Sequence, residues 1–390
     1  MMAERVPIDT YCKKNIPTLQ KTHNGLIDYV DISSVDNTEK RIISYQTIES
    51  NDAPSRAKQL LQKGDVLVST VRPNLNAVAV VEEETENLMV GSTGYCVLRC
   101  KENIDVRYLF NFCQSQYFVD DMSSQATGAS YPAVSNGIVR SSLIPCYSIK
   151  EQREIAEKMD TVSELLALRK QQLAEMDELI KSRFVELFGD PIFNPMGWEV
   201  ADFKEVVYFQ EGPGVRNWQF RDSGIKLINI RNLIDDKLVL ENTSNYLSGQ
   251  EVEEKYKHFL LDVGDYVMAS SGVTWGKIAE IFEEHLPLCL NTSIIRLRPY
   301  DENVISKKYL FHYIKGDAFR TQIKRLITGS AQPNFGPTHL KQISILLPPI
   351  ELQNQFAAFI EQTDKSKLVI QQSLDKLELL KKSLMQKYFG

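Results

Sequence analysis

The chain repeats itself at a spacing of about two hundred residues, and this constrains its fold more than any other feature. Lys181-Ser182 followed by Phe188-Gly189 returns as Lys382-Ser383 followed by Phe389-Gly390, an offset of 390 − 189 = 201. Upstream, Thr127-Gly128-Ala129-Ser130-Tyr131-Pro132 lines up with Thr328-Gly329-Ser330-Ala331-Gln332-Pro333, and Tyr108-Leu109-Phe110 with Tyr309-Leu310-Phe311, at the same offset. Gly64-Asp65-Val66 meets Gly264-Asp265-Tyr266 at an offset of 200, and Tyr29-Val30-Asp31-Ile32 meets Leu227-Ile228-Asn229-Ile230 at 198. The drift places small insertions in surface loops early in each half. A unit this long exceeds any solenoid repeat and can bury its own core, so the chain is two copies of one domain plan.

Each copy has a mixed, strand-rich part followed by a helical part. Residues 65–70 and 265–270 read as buried strands, and 294–298 alternates as a half-buried one. Residues 107–121 and 307–323 read as short aromatic-rich helices. After Ser148 the pattern becomes a heptad: Ile155, Met159, Val162, Leu166, Leu173, Met176, Ile180 and Leu187 fall on alternating steps of four and three, broken by Arg169 and Arg183. Ser148-x-x-Glu151 is a capping box at its start, and Gly189-Asp190-Pro191 a cap and stop at its end.

Adding 201 gives a second seam of Phe356, Ile360, Thr363, Lys367, Ile370, Leu374, Leu377, Lys381, Leu384 and Tyr388. Its polar interruptions are staggered against those of the first, since Arg169 corresponds to Ile370 and Arg183 to Leu384, while Leu166 corresponds to Lys367 and Ile180 to Lys381. Neither helix alone has an unbroken apolar stripe, which favours pairing within the chain over homodimeric zippers. The alternative is that each packs on its own domain. A helix of about forty residues is roughly 60 Å long and projects beyond a small domain. The expected interface is Ile155, Met159, Val162, Leu166, Leu173, Met176 and Ile180 against Phe356, Ile360, Ile370, Leu374, Leu377 and Leu384. The expected fold is α+β, with domains at 1–148 and 190–347 and spacer helices at 149–189 and 348–390.

Several function classes are excluded by what is missing. The segment from Ser270 to Lys277 imitates a phosphate loop, but its glycine spacing is one residue short and Ile278 stands where a magnesium-binding hydroxyl is needed. Phe193-Asn194-Pro195-Met196 lacks the second proline and the aromatic of an amino-methyltransferase motif and reads as a linker turn. His23, His258, His285, His312 and His339 are dispersed, with no paired ligand or nucleophile beside them, and read mostly as surface or turn residues. The six cysteines form no CxxC pair and read as reduced thiols. With no signal-peptide-like run near the start and no long apolar stretch, the expected location is the cytoplasm. A formal net charge of −6 argues against indiscriminate nucleic-acid binding but leaves room for a local basic groove.

A duplicated unit ending twice in a heptad helix, with no catalytic motif, resembles the specificity subunit of type I restriction-modification systems. The Gly64-Asp65 and Gly264-Asp265 strands, the latter running into Gly272-x-x-x-Gly276-Lys277, look like that family's Gly-Asp element. Residues 328–334 match its hallmark turn, with 127–132 a looser copy carrying Tyr131 in place of the glutamine. Residues 145–155, containing Glu151-Gln152-Arg153, are similar to its helix start. In the second copy Glu351-Leu352-Gln353 shows the Glu-Gln pair displaced. Gly189-Asp190-Pro191 with Asn194-Pro195-x-Gly197-Trp198 is similar to its bridge into the second domain.

The resemblance implies two target recognition domains, separated by two long antiparallel coiled-coil helices. Each would read one half of a split, asymmetric site on double-stranded DNA, with the helices setting the unread gap and docking two methyltransferase subunits. It implies no cofactor on this chain: S-adenosylmethionine belongs to the methyltransferase, and ATP and magnesium to a restriction subunit joining the complex. Candidate DNA contacts are polar loop residues, able to meet phosphates or base edges. In the first domain these are Lys13, Lys14, Lys21, Thr22, His23, Ser33, Ser34, Arg72 and Asn74. In the second they are Arg216, Asn217, Trp218, Gln219, Arg221, Arg231, Asn232, Trp275 and Lys277. The alternatives are a relative of a fused restriction-methylation enzyme and a coiled-coil adaptor with no DNA role.

Overall fold

The computed structural model describes residues 4–20, 22–241, 243–272, 275–327 and 334–390. The chain divides into two compact units, Met1–Gln172 with Ile370–Gly390, and Leu173–Val369. The division falls within both long helices, Ile149–Phe188 and Ile350–Phe389. Each unit therefore holds one strand-rich domain, the first part of the helix that follows it and the last part of the other helix.

In the first unit the strand Asp65–Ser69 lies between Tyr95–Arg99 and Val78–Val80, antiparallel to both. Its apolar run has no polar side because both faces are covered. Val66 and Val68 enter one core with Tyr108, Phe112 and Phe118, while Leu67 enters another with Val30, Ala79 and Val97. The second unit repeats this, with Tyr266 and Met268 on one side and Val267 and Ala269 on the other. In each unit a second sheet contains one parallel pair, Leu26–Val30 with Leu88–Ser92 and Ile225–Ile228 with Leu288–Leu290. Ile294–Pro299 is an inner strand of a four-stranded sheet, not the half-buried strand its alternation predicts; even its polar Arg296 is buried.

Arg296 is buried because of the Gly-Asp element. Gly64 and Gly264 adopt φ of 86° and 80°, and the aspartate that follows turns its carboxylate back to accept the amide of Gln62 or Asp262, each at 2.9 Å. In the first unit Arg99 bonds both Asp65 oxygens at 2.8 Å. In the second, Arg296 sits 3.4 Å from Asp265 and donates to the carbonyls of Leu260 and His258. Burial raises the Asp265 pKa, opposed by the Asp262 amide and by Arg296 and Arg298.

The short helices are each broken in two, into Val106–Gln114 and Gln116–Ser124, and into Lys307–Lys315 and Asp317–Leu326. Ser115 and Gly316 are extended at the breaks. At the start of each long helix a buried glutamine ties this layer down. Gln152 accepts the amide of Asp105 and Gln353 that of Ser306, both at 2.9 Å, and Asp105 and Ser306 are themselves the caps of the first short helices. The glutamine is thus the element kept at an offset of 201, and the apparent displacement of the Glu-Gln pair concerns only the glutamate. The Ser148–Glu151 capping box is formed, with Glu151 accepting the Ser148 amide at 2.9 Å.

The fold is α+β, with two pseudo-symmetric mixed domains and long helices that run antiparallel where they pack. In the first unit Val162 and Leu166 meet Leu374 and Leu377, and Ile155 and Met159 share a core with Met385 and Phe389. In the second, Ile180, Phe184 and Phe188 meet Phe356 and Ile360, and Lys367 bonds Asp177 at 2.6 Å. The helices also pack on the domains, so both readings of the heptad apply. Towards each helix end the buried positions move one residue off the seam: Phe188 and Phe389 are fully buried where Leu187 and Tyr388 continue the heptad. The carbonyl of Phe188 accepts the Trp198 indole at 2.9 Å, and that of Phe389 accepts Arg5 at the same distance.

Candidate nucleic-acid interface

In the second unit the candidate residues lie on two tight turns. At the first, Gly212 passes so close to the backbone of Asn291 that no side chain fits there. Gln219 is buried, accepting the Arg216 amide at 2.9 Å and donating to Glu251 at 2.7 Å and to the Tyr256 hydroxyl at 2.9 Å. It anchors the loop. Its bonds present Arg216, Asn217 and Trp218 outward, with Trp218 74% exposed. Arg221 is exposed and braces the turn by donating to the carbonyls of Trp218 and Phe220 at 3.0 and 2.9 Å.

The second turn follows the strand Ile225–Ile228. Asn229 accepts the amide of Arg231, while Asn232 turns inward, accepting the Asn229 amide and donating to the Val239 carbonyl and the Thr243 hydroxyl. Arg231 is exposed, whereas Asn232 is buried. The first unit builds the same turn at an offset of 198. Asp31 accepts the amides of Ser33 and Ser34 at 2.9 and 3.1 Å, leaving Ser33 exposed and Ser34 buried as part of the cap. An inward Ser or Asn is what an Asx-capped turn requires, and residue type alone does not separate it from a base-reading side chain.

Of the remaining candidates, Lys13, Lys14, Thr22, Arg72 and Asn74 are exposed. His23 is half-buried, with a buried Nε2 that meets no partner among the described residues. Trp275 is half-buried, edge-on to Phe335 at 5.8 Å and beneath Arg320 at 5.6 Å, so its ring serves packing first. Lys277 is half-buried beside it. Lys21 and the hallmark turn 328–333 lie outside the described residues. Tyr131, which departs in sequence from that turn, is 68% exposed, with the Arg72 guanidinium over its ring. Nearby, Lys40 donates to the Asn76 carbonyl, and burial together with repulsion from Lys381 pulls its pKa down to about 8 against the pull of Asp36.

The histidines divide. His285 and His339 accept turn amides through Nδ1 as their sequence setting implies, but His312 is half-buried and packed 5.2 Å from Phe356. Among the described residues no group of three or more His, Cys, Asp or Glu is arranged to hold a metal, and no helix is long and apolar enough to cross a membrane.

Compared with known proteins, residues 8–178 and 195–379 each match the type I restriction modification DNA specificity domain. The chain belongs to the type I restriction-modification specificity family. It is 25% identical over 279 residues to the type I restriction enzyme MjaVIII specificity subunit of Methanocaldococcus jannaschii, a match covering 68% of this chain and 65% of that relative's length. To the MjaIX specificity subunit of the same organism it is 19% identical over 376 residues, covering 90% of this chain and 84% of the relative. A solved chain from work on complex assembly and conformational transition of the type I restriction-modification system superimposes with a TM-score of 0.66 at 23% identity, covering 100% of this chain and 97% of that one. Each family match falls largely on one of the two structural copies, so the Gly-Asp turn, the inward turn residue and the buried glutamine are scaffold elements repeated within one specificity chain.

Proposed function

We propose that this chain is the DNA-recognition subunit of a type I restriction-modification complex, each domain reading one half of a bipartite, asymmetric site on double-stranded DNA. The observation that carries the reading is a shared scaffold with divergent exposed side chains. Both units keep the Asx-type turn at an offset of 198, but the outward residue is Ser33 in one and Arg231 in the other. After the Gly-Asp strand the first unit exposes Arg72 and Asn74, whereas the second carries Gly272 and a half-buried Trp275. Two modules with one backbone plan and different outward groups suit two different short words on one duplex.

On this reading the paired helices fix the unread gap and dock two methyltransferase subunits. Leu168 and Leu179 on the first helix are exposed, and so are their counterparts at an offset of 201, Val369 and Leu380, which gives each copy a matching pair of apolar positions for the same partner. The chain brings no catalysis of its own. S-adenosylmethionine enters with the methyltransferase, where the target adenine is flipped for methylation, and ATP and magnesium enter with a restriction subunit. The test is a binding selection on the assembled complex with Arg216 and Trp218 both changed to alanine. Recognition of one half-site should weaken or change while the other is untouched; equal loss at both refutes one half-site per domain.

A further inference from the structure

Two residues of the first unit hold a backbone conformation that suits glycine, and in the second unit glycine stands at both places. Arg72 and Asn76 have φ of 49° and 47°; at the offset of 200 set by the Gly-Asp strands, Gly272 and Gly276 have φ of 75° and 82°. The left-handed region is unfavourable for residues with a Cβ; asparagine tolerates it and arginine does so poorly. The fold therefore has a relaxed solution for this turn, and the first unit departs from it at Arg72.

The strained turn is strapped from several sides. The Arg72 amide donates to the Pro132 carbonyl at 2.7 Å, Leu75 to Arg72 at 2.9 Å and Asn76 to Pro73 at 3.0 Å, and Lys40 donates to Asn76 at 2.5 Å. Strain over-determined in this way is characteristic of sites where the side chain has a task. The task is indicated by what Arg72 touches. Its guanidinium lies 4.6 Å from the centroid of the Tyr131 ring. That ring sits on a loop pinned by two reciprocal backbone bonds between Thr127 and Ala133, at 3.0 and 2.9 Å. Gly128, with φ of 110°, lets the loop fold back, since a Cβ there would come within 2.9 Å of the Tyr131 carbonyl oxygen. A guanidinium held over a ring face is confined in position while its N–H groups stay available to a second partner.

We propose that Arg72 and Tyr131 form one reading element of the first domain, the ring holding the guanidinium so that its edge donates in bidentate fashion to guanine O6 and N7 in the major groove. This rests on the chain being a DNA reader. The decisive variant is Arg72→Gly, which gives the turn the residue its twin already has; Tyr131→Ala is the second. Both are made in the full chain and assembled with the methyltransferase, then measured by melting temperature, by selection from randomised DNA and by salt dependence of binding.

Arg72→Gly should keep or raise the melting temperature while lowering discrimination at one base pair of one half-site about tenfold or more, with the other half-site and the salt slope unchanged. Tyr131→Ala should relax the same base pair. Unchanged discrimination overturns the proposal. So does uniform weakening across all sequences with a salt slope reduced by about one, which marks a phosphate contact, and so does a melting temperature several degrees lower for Arg72→Gly. If the unaltered complex shows no sequence preference, the underlying DNA-reading assignment fails, and this proposal falls with it.

Discussion

Replacing Gln353 with leucine should cost the second unit about 3 to 5 kcal/mol, from the removal of three hydrogen bonds at a buried site. The amide oxygen accepts from Ser306 at 2.9 Å, and the amide nitrogen donates to the carbonyls of Pro348 at 2.8 Å and Val304 at 3.1 Å. Leucine fills nearly the same volume, so packing loss is small and the cost comes from stranded backbone groups, each worth about 1 to 3 kcal/mol when left without a partner. The damage should spread in a defined direction. Ser306 caps the helix Lys307–Lys315 by accepting the Tyr309 amide at 3.2 Å, and this helix supplies Tyr309 and Leu310 to the core. Urea unfolding gives the magnitude. Hydrogen exchange gives the location, with protection lost across residues 304–326 and around 348–353 and retained in the first domain. Gln152→Leu should do the same in the first unit with a smaller loss, because one of its bonds is long, at 3.4 Å. A Gln353→Leu protein within about 1 kcal/mol of the parent would refute the argument that this glutamine fastens helix to domain.

Two further expectations concern the helices and their surroundings. His312 is pushed down from 6.5 to about 3 by burial, reinforced by Lys315, Lys308 and Lys367 and opposed by Asp177. The unfolded chain takes up this proton below about pH 6.5 while the folded unit does not, so stability present above that pH drains as pH falls toward 3, by roughly 2 kcal/mol between pH 7 and pH 5. Urea midpoints at the two pH values should show that loss in the parent and not in His312→Leu; equal losses contradict the assignment. Leu374→Glu places a carboxylate against Val162 and Leu166 and should cost about 3 kcal/mol or more, reducing assembly with the methyltransferase by light scattering. Unchanged assembly would count against the helix pair as a support for the complex.

The sequence carried the scaffold more legibly than the site. Duplicated strings and a heptad period survive in sequence because they are set by backbone period and burial, which act over many residues at once. The heptad seam coincides with the packing at Val162, Leu166, Leu374 and Leu377 but not at the helix ends, where Phe188 and Phe389 stand one residue off it and are shared between the partner helix and a domain core. The Glu-Gln pair looks displaced in sequence because the physical constraint acts on the buried glutamine alone, not on the dipeptide. At the site, Ser34, Gln219 and Asn232 have the chemistry of base readers and the burial of turn anchors, a distinction made by loop geometry and invisible in residue type. The setting of Tyr131 is illegible in sequence for the converse reason. Its exposure and its pairing with Arg72 arise from a loop fold that only Gly128 hints at in sequence.

If one chain senses two short DNA words jointly, sequencing of methylated sites in a host that carries this chain with its methyltransferase should find methylation at a two-part, asymmetric motif with a constant gap of unspecified bases. A single continuous motif, or methylation unchanged by the presence of the chain, would contradict joint sensing.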